Sequence, residues 1–307
     1  MELSRAIGIT IGDPAGIGPE ITLKALKGIN CRDILIIGSR QVLKREAEKA
    51  GLNIEGIPLV DTGSLGKYEY GEVQKKCGAQ ALSALELGVD LLKNGKVAAL
   101  VTAPVSKEAL RLAGFQYPGQ TEFLARKLRS RRYAMLAWSP FFKVIFVTIH
   151  LPIAKVPGQI TAQAVLEKIL LLNEFLQLEG KSQPKIGVLA LNPHGEEFSL
   201  GEERQIRQAL GEAQQRLVNA IGPLPADSVF ARRSDFDGFV AMYHDQAMIP
   251  AKLLARGVGV NVTLGLGKIR TSPLHGVAFD IAGKGMANPS SMVAAIRLAR
   301  RLVARTD

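Results

Sequence analysis

The sequence is poor in cysteine and in long apolar runs, and each scarcity excludes a class of protein. Its 307 residues include two cysteines, Cys31 and Cys77. These are too few for a disulfide framework and too far apart for a Cys-x-x-Cys metal site. No apolar run reaches the about 20 residues that a membrane-spanning helix needs, and the first residues lack the basic-then-apolar order of a signal peptide. These absences predict a cytoplasmic protein that makes no contact with a membrane.

Aromatic residues are also scarce, although positive charge is not. Aromatic residues make up 6% of the chain, and the formal net charge is +11. Such an excess favours anionic partners. The densest basic stretch, ARKLRSRR at 125–132, has no aromatic ladder on which bases could stack, and a solvated helix face is the favoured interpretation of it. We therefore expect that the protein does not bind nucleic acid, and we favour a phosphorylated small molecule or a dinucleotide as the ligand.

Short β-branched runs alternate with longer amphipathic segments along the chain. Examples are IGITIG before ITLKALKG, DILIIG before RQVLKREAEKAG, and VAALVTAP before SKEALRLAG. This alternation is typical of β-α-β units around a mainly parallel sheet, so the sequence predicts an α/β fold. In open α/β sheets ligands bind beyond the carboxyl ends of the strands. Polar residues that follow the predicted strands are therefore the candidates for a site.

Three of the four histidines end predicted strands. His150 follows KVIFVTI, His194 follows GVLALNP and His244 follows FVAMY. Three imidazoles at equivalent strand ends could bind one divalent cation and leave a position open for substrate. The wide spacing is not a local metal motif, so three independent structural histidines are an equal alternative. Asp245, which follows His244, could orient a ligating imidazole or could simply favour a helix N-terminus.

Two glycine-rich segments also carry polar residues. GDPAGIGPE at 12–20 follows a predicted strand but departs from the GxGxxG dinucleotide motif. It predicts a tight turn that directs Asp13 or Glu20 towards the crevice. LHGVAFDIAGKGMANP at 274–289 predicts a loop in which Asp280 could accept both ribose hydroxyls of NAD, although an ordinary surface loop is the alternative.

These motifs, taken together, resemble those of one known family. GDPAGIGPE, VTAPVSK, GQTEFLA, TIHLPI, LNPH, YHDQ, NVTLGL and IRTSPLHG are similar to motifs of the 4-hydroxythreonine-4-phosphate dehydrogenase family, within the isocitrate/isopropylmalate dehydrogenase-like superfamily. The resemblance implies a two-domain, non-Rossmann α/β fold. Domain 1 would comprise residues 1–118 and 266–307, and domain 2, with the metal site and the dimer interface, residues 119–265. It also implies a homodimer with shared active sites.

The resemblance implies a reaction as well. It is the NAD-dependent oxidation of 4-phosphooxy-L-threonine to 2-amino-3-oxo-4-phosphooxybutanoate, which decarboxylates to 3-amino-2-oxopropyl phosphate in pyridoxal phosphate biosynthesis. One divalent metal per subunit, Zn, Mg or Co, would be bound by His150, His194 and His244 contributed by two subunits. Asp245 and Lys252 become the catalytic candidates.

The remaining site residues also follow from the resemblance. The positions that match substrate contacts of the family are Gln120, Thr121, Lys252, Asn261 and Arg270. The positions that match its cofactor loop are His275, Asp280 and Asn288.

One of these positions departs from the family pattern. Gln120 stands where the family usually has histidine, and it cannot carry a positive charge. One alternative that this leaves open is a dehydrogenase of the same fold acting on another 4-phosphorylated hydroxy acid, such as an erythronate phosphate. A second alternative, which the positive net charge suggests, is a phosphate-binding or acyltransferase-like protein without redox activity.

Overall fold

The computed structural model describes residues 5–52 and 54–306, which fold into two compact units. The first unit takes its residues from Met1–Arg131 and Leu266–Arg305, and the second comprises Arg132–Gly265. Both units alternate strands and helices, which confirms the predicted α/β class. Among the described residues, none of the helices combines the length and the apolar character of a membrane span.

The division predicted from the sequence differs from these units in one segment, 119–131. That prediction placed the segment in domain 2, whereas the structure groups it with the first unit. The physical reason is aromatic packing. The Phe123 ring lies 5.4 Å from the ring of Phe115 and 5.3 Å from that of Tyr117. The two units are groups of packed residues, which do not by themselves establish domains. The domain division predicted from the sequence therefore stays a prediction.

The first unit is built on a parallel sheet. Its strands run in the order β3-β2-β1-β4-β11, and every neighbouring pair among these five is parallel. The strands β1, β2 and β4 are buried along their whole length, as expected where helices cover both faces of a parallel sheet. The strands are β1 (Ile7–Thr10), β2 (Ile34–Gly38), β3 (Leu59–Asp61), β4 (Ala99–Thr102) and β11 (Ile269–Pro273).

Six described α-helices belong to this unit. Two of them begin at serines whose hydroxyls accept hydrogen bonds from backbone N–H groups: Ser39 from Val42 and Ser106 from Ala109. Such caps satisfy donors that the first helical turn leaves unpaired. The helices are α1 (Gly18–Lys27), α2 (Arg40–Ala50), α3 (Lys75–Lys93), α4 (Lys107–Leu112), α5 (Gln120–Lys127) and α10 (Ser290–Val303).

The second unit has a mixed sheet. Its strands run in the order β10-β5-β6-β9-β7-β8. The strand β5 is antiparallel to both of its neighbours, and the remaining pairs are parallel. The strands are β5 (Ala134–Trp138), β6 (Lys143–Phe146), β7 (Ile186–Leu189), β8 (Ala220–Leu224), β9 (Gly238–Ala241) and β10 (Val260–Leu264).

Three neighbouring strands of this sheet position the histidines. The strands β6, β9 and β7 are adjacent and parallel, so their carboxyl ends share one edge, from which the segments bearing His150, His244 and His194 leave. Each strand ends three to five residues before its histidine, earlier than the sequence predicted. The helices of this unit are α6 (Ala162–Leu178), α7 (Glu202–Gln215), α8 (Ala226–Val229) and α9 (His244–Ala255).

Candidate active site

Two of the three predicted metal ligands lie together in one chain. The ring centroids of His150 and His244 are 5.7 Å apart, and both residues line a cavity of about 210 Å³. Thr148, Tyr243 and Asp245 line the same cavity. Imidazole nitrogens and carboxylate oxygens are both common ligands of divalent transition metals.

His150 and His194 share an uncommon backbone conformation. Their φ angles are 48° and 56°, in the left-handed region that non-glycine residues rarely adopt. Such strain persists only where the surrounding structure imposes it, and it concentrates at functional sites. Histidine tolerates this region better than most residues do, which is consistent with a constrained imidazole at each of these positions.

Asp245 contacts the imidazole that precedes it. The Nδ1 atom of His244 lies 2.6 Å from Oδ1 of Asp245. A carboxylate in this position favours the tautomer with its proton on Nδ1, which leaves the Nε2 lone pair available to a ligand. Asp245 therefore has the geometry of a residue that orients a ligand.

His194 is not brought to the other two histidines in one chain. It precedes the 3₁₀ turn Gly195–Phe198, and its ring lies 5.9 Å from that of Phe198. Within residues 5–52 and 54–306, no group of three or more His, Cys, Asp or Glu side chains is arranged to hold a metal ion. The three-histidine metal site therefore stays a prediction, and a single chain brings together two of its three imidazoles.

Arg270 and Gln120 contact each other in the first unit. Arg270 on β11 is 2% exposed, and its Nη2 atom donates to Oγ1 of Thr102 at 2.7 Å and to Oε1 of Gln120 at 3.2 Å. Burial lowers the pKa of Arg270 to about 10, although the nearby Glu122 raises it, so the guanidinium is cationic at neutral pH. A protonated histidine at position 120 would repel this cation, whereas a glutamine carbonyl accepts a hydrogen bond from it.

The other predicted substrate contacts are divided between the two units. Thr121 follows Gln120 in the first turn of α5 and is half-buried. In the second unit, Lys252 is exposed on α9, and Asn261 lies on β10. The buried Oδ1 atom of Asn261 has no hydrogen-bond partner among the described residues, so it can accept from a ligand donor.

The predicted cofactor loop lies in the first unit, with His275, Asp280 and Asn288 all exposed. Nδ1 of His275 lies 3.1 Å from the Gly276 carbonyl. Asp280 lies in a 3₁₀ turn, Phe279–Ile281. Oδ1 of Asn288 accepts from the backbone N–H of Ser290 at the start of α10, at 2.9 Å.

Two residues of α1 hold this loop in place. Oε1 of Glu20 accepts from the Ala287 N–H at 2.9 Å and from Nζ of Lys24 at 2.7 Å. The same Nζ donates to the carbonyls of Gly285 and Ala287. Glu20 therefore shapes the loop beside Asn288, a role that the sequence pattern did not predict.

Asp13 is a fully buried carboxyl group next to α1. It is 0% exposed, and its Oδ1 atom accepts from the Ala15 N–H at 2.9 Å. Burial raises the pKa of Asp13 to about 6, even though hydrogen bonds from the Ala15 and Ser106 backbones lower it. The folded state therefore holds the Asp13 proton more tightly than the unfolded chain does.

We expect Asp13→Asn to stabilise the protein at pH 8 but not at pH 3.5. Because the folded pKa is raised, the favourable contribution of the protonated group is complete below the unfolded value near 3.8 and is lost as the pH rises through about 6. At pH 8 the substitution is expected to raise the free energy of unfolding by at most about 3 kcal/mol, at 1.36 kcal/mol per pKa unit. Denaturant unfolding at the two pH values measures it. The exposed control Asp90→Asn should show no such gain, and a gain for Asp13→Asn that is independent of pH would contradict the assignment.

Comparisons with known proteins extend over nearly the whole chain. The family model described as "Pyridoxal phosphate biosynthetic protein PdxA" matches residues 29–299. The 4-hydroxythreonine-4-phosphate dehydrogenase of Xanthobacter autotrophicus is 41% identical, over 96% of this chain and 92% of its own length. A protein of Oceanobacillus iheyensis, provisionally named a D-threonate 4-phosphate dehydrogenase, is 40% identical over 98% of this chain and 99% of its own.

A solved structure shows the same architecture. The crystal structure of 4-hydroxythreonine-4-phosphate dehydrogenase from Klebsiella pneumoniae superposes with a TM-score of 0.85 at 36% identity. The match covers 97% of this chain and 99% of that one. At this identity and coverage, the likeness extends to the sequence as well as to the fold.

Proposed function

The chain belongs to the PdxA family of pyridoxal phosphate biosynthetic proteins, and on that premise we propose that it oxidises 4-phosphooxy-L-threonine with NAD and a divalent cation. The product, 2-amino-3-oxo-4-phosphooxybutanoate, is a β-keto acid that loses carbon dioxide to give 3-amino-2-oxopropyl phosphate. The observation that carries the metal-dependent chemistry is the pair of imidazoles, His150 and His244, 5.7 Å apart on one cavity.

The three histidines hold one divalent cation per subunit, Zn, Mg or Co, with imidazoles supplied by two copies of the chain. When bound, the cation supplies a Lewis acid that stabilises negative charge on a substrate oxygen. His150 and His194 present their imidazoles from constrained backbones, and Asp245 fixes the tautomer of His244. Asp245 and Lys252 are the groups that hold or move protons during the reaction.

Cationic and polar residues bind the phosphorylated substrate. The buried guanidinium of Arg270 supplies charge-assisted hydrogen bonds to an anionic group. Gln120 holds that guanidinium in place through its carbonyl oxygen. Thr121 and Asn261 add neutral hydrogen bonds, and the Lys252 ammonium adds a second positive charge.

The exposed loop of the first unit binds NAD through His275, Asp280 and Asn288. The carboxylate of Asp280 accepts hydrogen bonds from ribose hydroxyls and repels the additional 2′-phosphate of NADP. The choice of NAD over NADP follows from this single negative charge.

Exposed apolar side chains beside the histidines support a homodimer. Leu151 and Ile153 follow His150 in the chain, and their exposed fractions are 44% and 66%. On the helix that His244 begins, Ile249 and Leu253 are 62% and 76% exposed and lie one turn apart. Apolar side chains grouped in this way are typical of protein interfaces. A second copy of the chain, covering these side chains, would supply the missing ligands of the metal site.

Leu253→Glu is expected to shift the protein from dimer to monomer and to lower turnover about tenfold or more at micromolar concentration, because a buried unpaired charge opposes association. Leu217→Glu is the matched control. Leu217 is 95% exposed and precedes β8, at the amino-terminal edge of the sheet, away from the histidines. Sedimentation velocity with a parallel turnover assay checks both variants. A Leu253→Glu protein as dimeric as the control would contradict the interface.

A panel of substrates tests the proposed function. We expect NADH absorbance to rise fastest with 4-phosphooxy-L-threonine. The provisional name of the 40% identical relative and the glutamine at position 120 favour the inclusion of D-threonate 4-phosphate and an erythronate phosphate. Faster turnover of either compound would show that the preferred substrate is a phosphorylated hydroxy acid that lacks the amino group. Failure to bind millimolar NAD, with phosphate ligands still bound, would favour the non-redox alternative.

A further inference from the structure

One buried side chain joins the segments that lead to two of the histidines. Gln246 is 9% exposed. Its Oε1 atom accepts from the Met242 N–H at 2.7 Å, and its Nε2 atom donates to the Ala190 carbonyl at 2.6 Å. Met242 follows β9 and stands two residues before His244, whereas Ala190 follows β7 and stands four residues before His194.

The segment that leads to His150 is hydrogen-bonded to Met242 as well. Thr148, two residues before His150, donates twice to the Met242 carbonyl: its hydroxyl at 2.8 Å and its backbone N–H at 3.1 Å. Thr148 is 6% exposed. A continuous line of hydrogen bonds therefore runs from the His150 segment through Met242 and Gln246 to the His194 segment.

A buried carboxylate binds the segment at the His194 end of this line of hydrogen bonds. Glu203, in the first turn of α7, is 0% exposed. Its Oε1 atom accepts from the N–H groups of Leu191 at 3.1 Å and Asn192 at 2.8 Å. Burial alone would raise the pKa of Glu203, but hydrogen bonds from Ser199 and Asn192 outweigh it and the pKa is lowered. The segment leading to His194 is thus held from both sides.

The side chain of Gln246 does more than supply hydrogen-bond partners to backbone groups that would otherwise be unpaired. Backbone groups that leave a sheet need partners, and a water molecule could serve each of them. A glutamine supplies one acceptor and one donor on a single rigid amide. It therefore fixes the distance between the two segments as well as satisfying each of them.

We propose that Gln246 is a positioning residue that fixes, within each subunit, where the His244 and His194 segments leave the sheet, and thereby the affinity for a divalent cation of the histidine sites that two subunits complete. This inference rests on the proposed metal site. Thr148 and Glu203 support the same arrangement from its two ends. Groups that orient metal ligands typically contribute ten- to a hundredfold to metal affinity or activity.

The sharpest test is Gln246→Glu, which keeps the shape of the side chain but turns the donor towards Ala190 into a second acceptor. The full-length protein is stripped with EDTA, and Zn²⁺ binding is measured by calorimetric titration. We expect Gln246→Glu to weaken Zn²⁺ binding about thirtyfold, with the NAD dissociation constant unchanged because the cofactor loop lies in the other unit. Gln214→Glu, the same change at an exposed position of α7, should bind Zn²⁺ like the wild type.

A milder variant keeps the test decisive if Gln246→Glu does not fold. Thr148→Val removes one hydroxyl donor and keeps the shape, and we expect about fivefold weaker Zn²⁺ binding from the loss of one hydrogen bond. Wild-type Zn²⁺ affinity in either folded variant would overturn the positioning role alone. A wild-type protein that binds none of Zn²⁺, Mg²⁺ and Co²⁺ would overturn the metal site and this inference with it. A lower melting temperature without a change in Zn²⁺ affinity would show that Gln246 is merely structural.

Discussion

His150→Asn is expected to lower kcat/KM about a thousandfold or more and to lose the bound cation, with the fold unchanged. The magnitude corresponds to the several kcal/mol that a Lewis acid contributes to a charged transition state. Asparagine is the appropriate replacement because it tolerates the left-handed backbone at this position, where φ is 48°. The loss can then be assigned to the imidazole and not to backbone strain.

The control for this substitution lies in the same segment. Lys155→Ala changes an exposed residue five positions later and should leave both the cation content and the turnover near wild-type values. Cation content is measured by elemental analysis and the fold by circular dichroism. A His150→Asn protein that keeps its cation and more than about a tenth of the wild-type rate would show that the two imidazoles in the cavity are not ligands.

Arg270→Lys is expected to raise the KM for the phosphorylated substrate about a hundredfold. The guanidinium donates to both Thr102 and Gln120, and in the proposed site it also donates to an anionic oxygen of the substrate. A lysine keeps the charge but presents a single point of contact. The loss of one or two charge-assisted hydrogen bonds corresponds to about this factor.

Steady-state kinetics separate this effect from a general defect. Arg297→Lys makes the same chemical change at an exposed position of α10 and should leave the KM unchanged. A lower kcat with an unchanged KM in Arg270→Lys would indicate that Arg270 acts on the reacting atoms and not in binding. The pKa of Arg270, about 10, implies that the substrate KM does not change through titration of this group between pH 6 and about 8.5.

The α/β fold was predictable because the pattern that specifies it is local. Apolar runs such as DILIIG contain the observed strand Ile34–Gly38, and the amphipathic run after it forms the helix Arg40–Ala50. The order of the strands in the sheet was harder to predict. The position of β5 beside β10 depends on pairing between strands more than a hundred residues apart, and periodicity carries no information about such pairing.

The candidate site was predictable only in part, for a similar reason. The proximity of His150 and His244 follows from adjacent parallel strands, whereas a ligand supplied by a second subunit, as we propose for His194, leaves no trace in the packing of one chain. Gln246 escaped prediction because its partners are the backbone groups of Met242 and Ala190. Every residue type has a backbone carbonyl and all except proline have a backbone N–H, so such partners leave no motif in the sequence.

The most direct test of a metal-dependent, NAD-linked oxidation is a single comparison of rates. The purified protein is stripped with EDTA, and NADH formation from 4-phosphooxy-L-threonine and NAD is followed before and after Zn²⁺, Mg²⁺ or Co²⁺ is restored. We expect no detectable turnover in the stripped protein and recovery with at least one of the three cations. Equal rates in the stripped and untreated protein would contradict the role assigned to the three histidines.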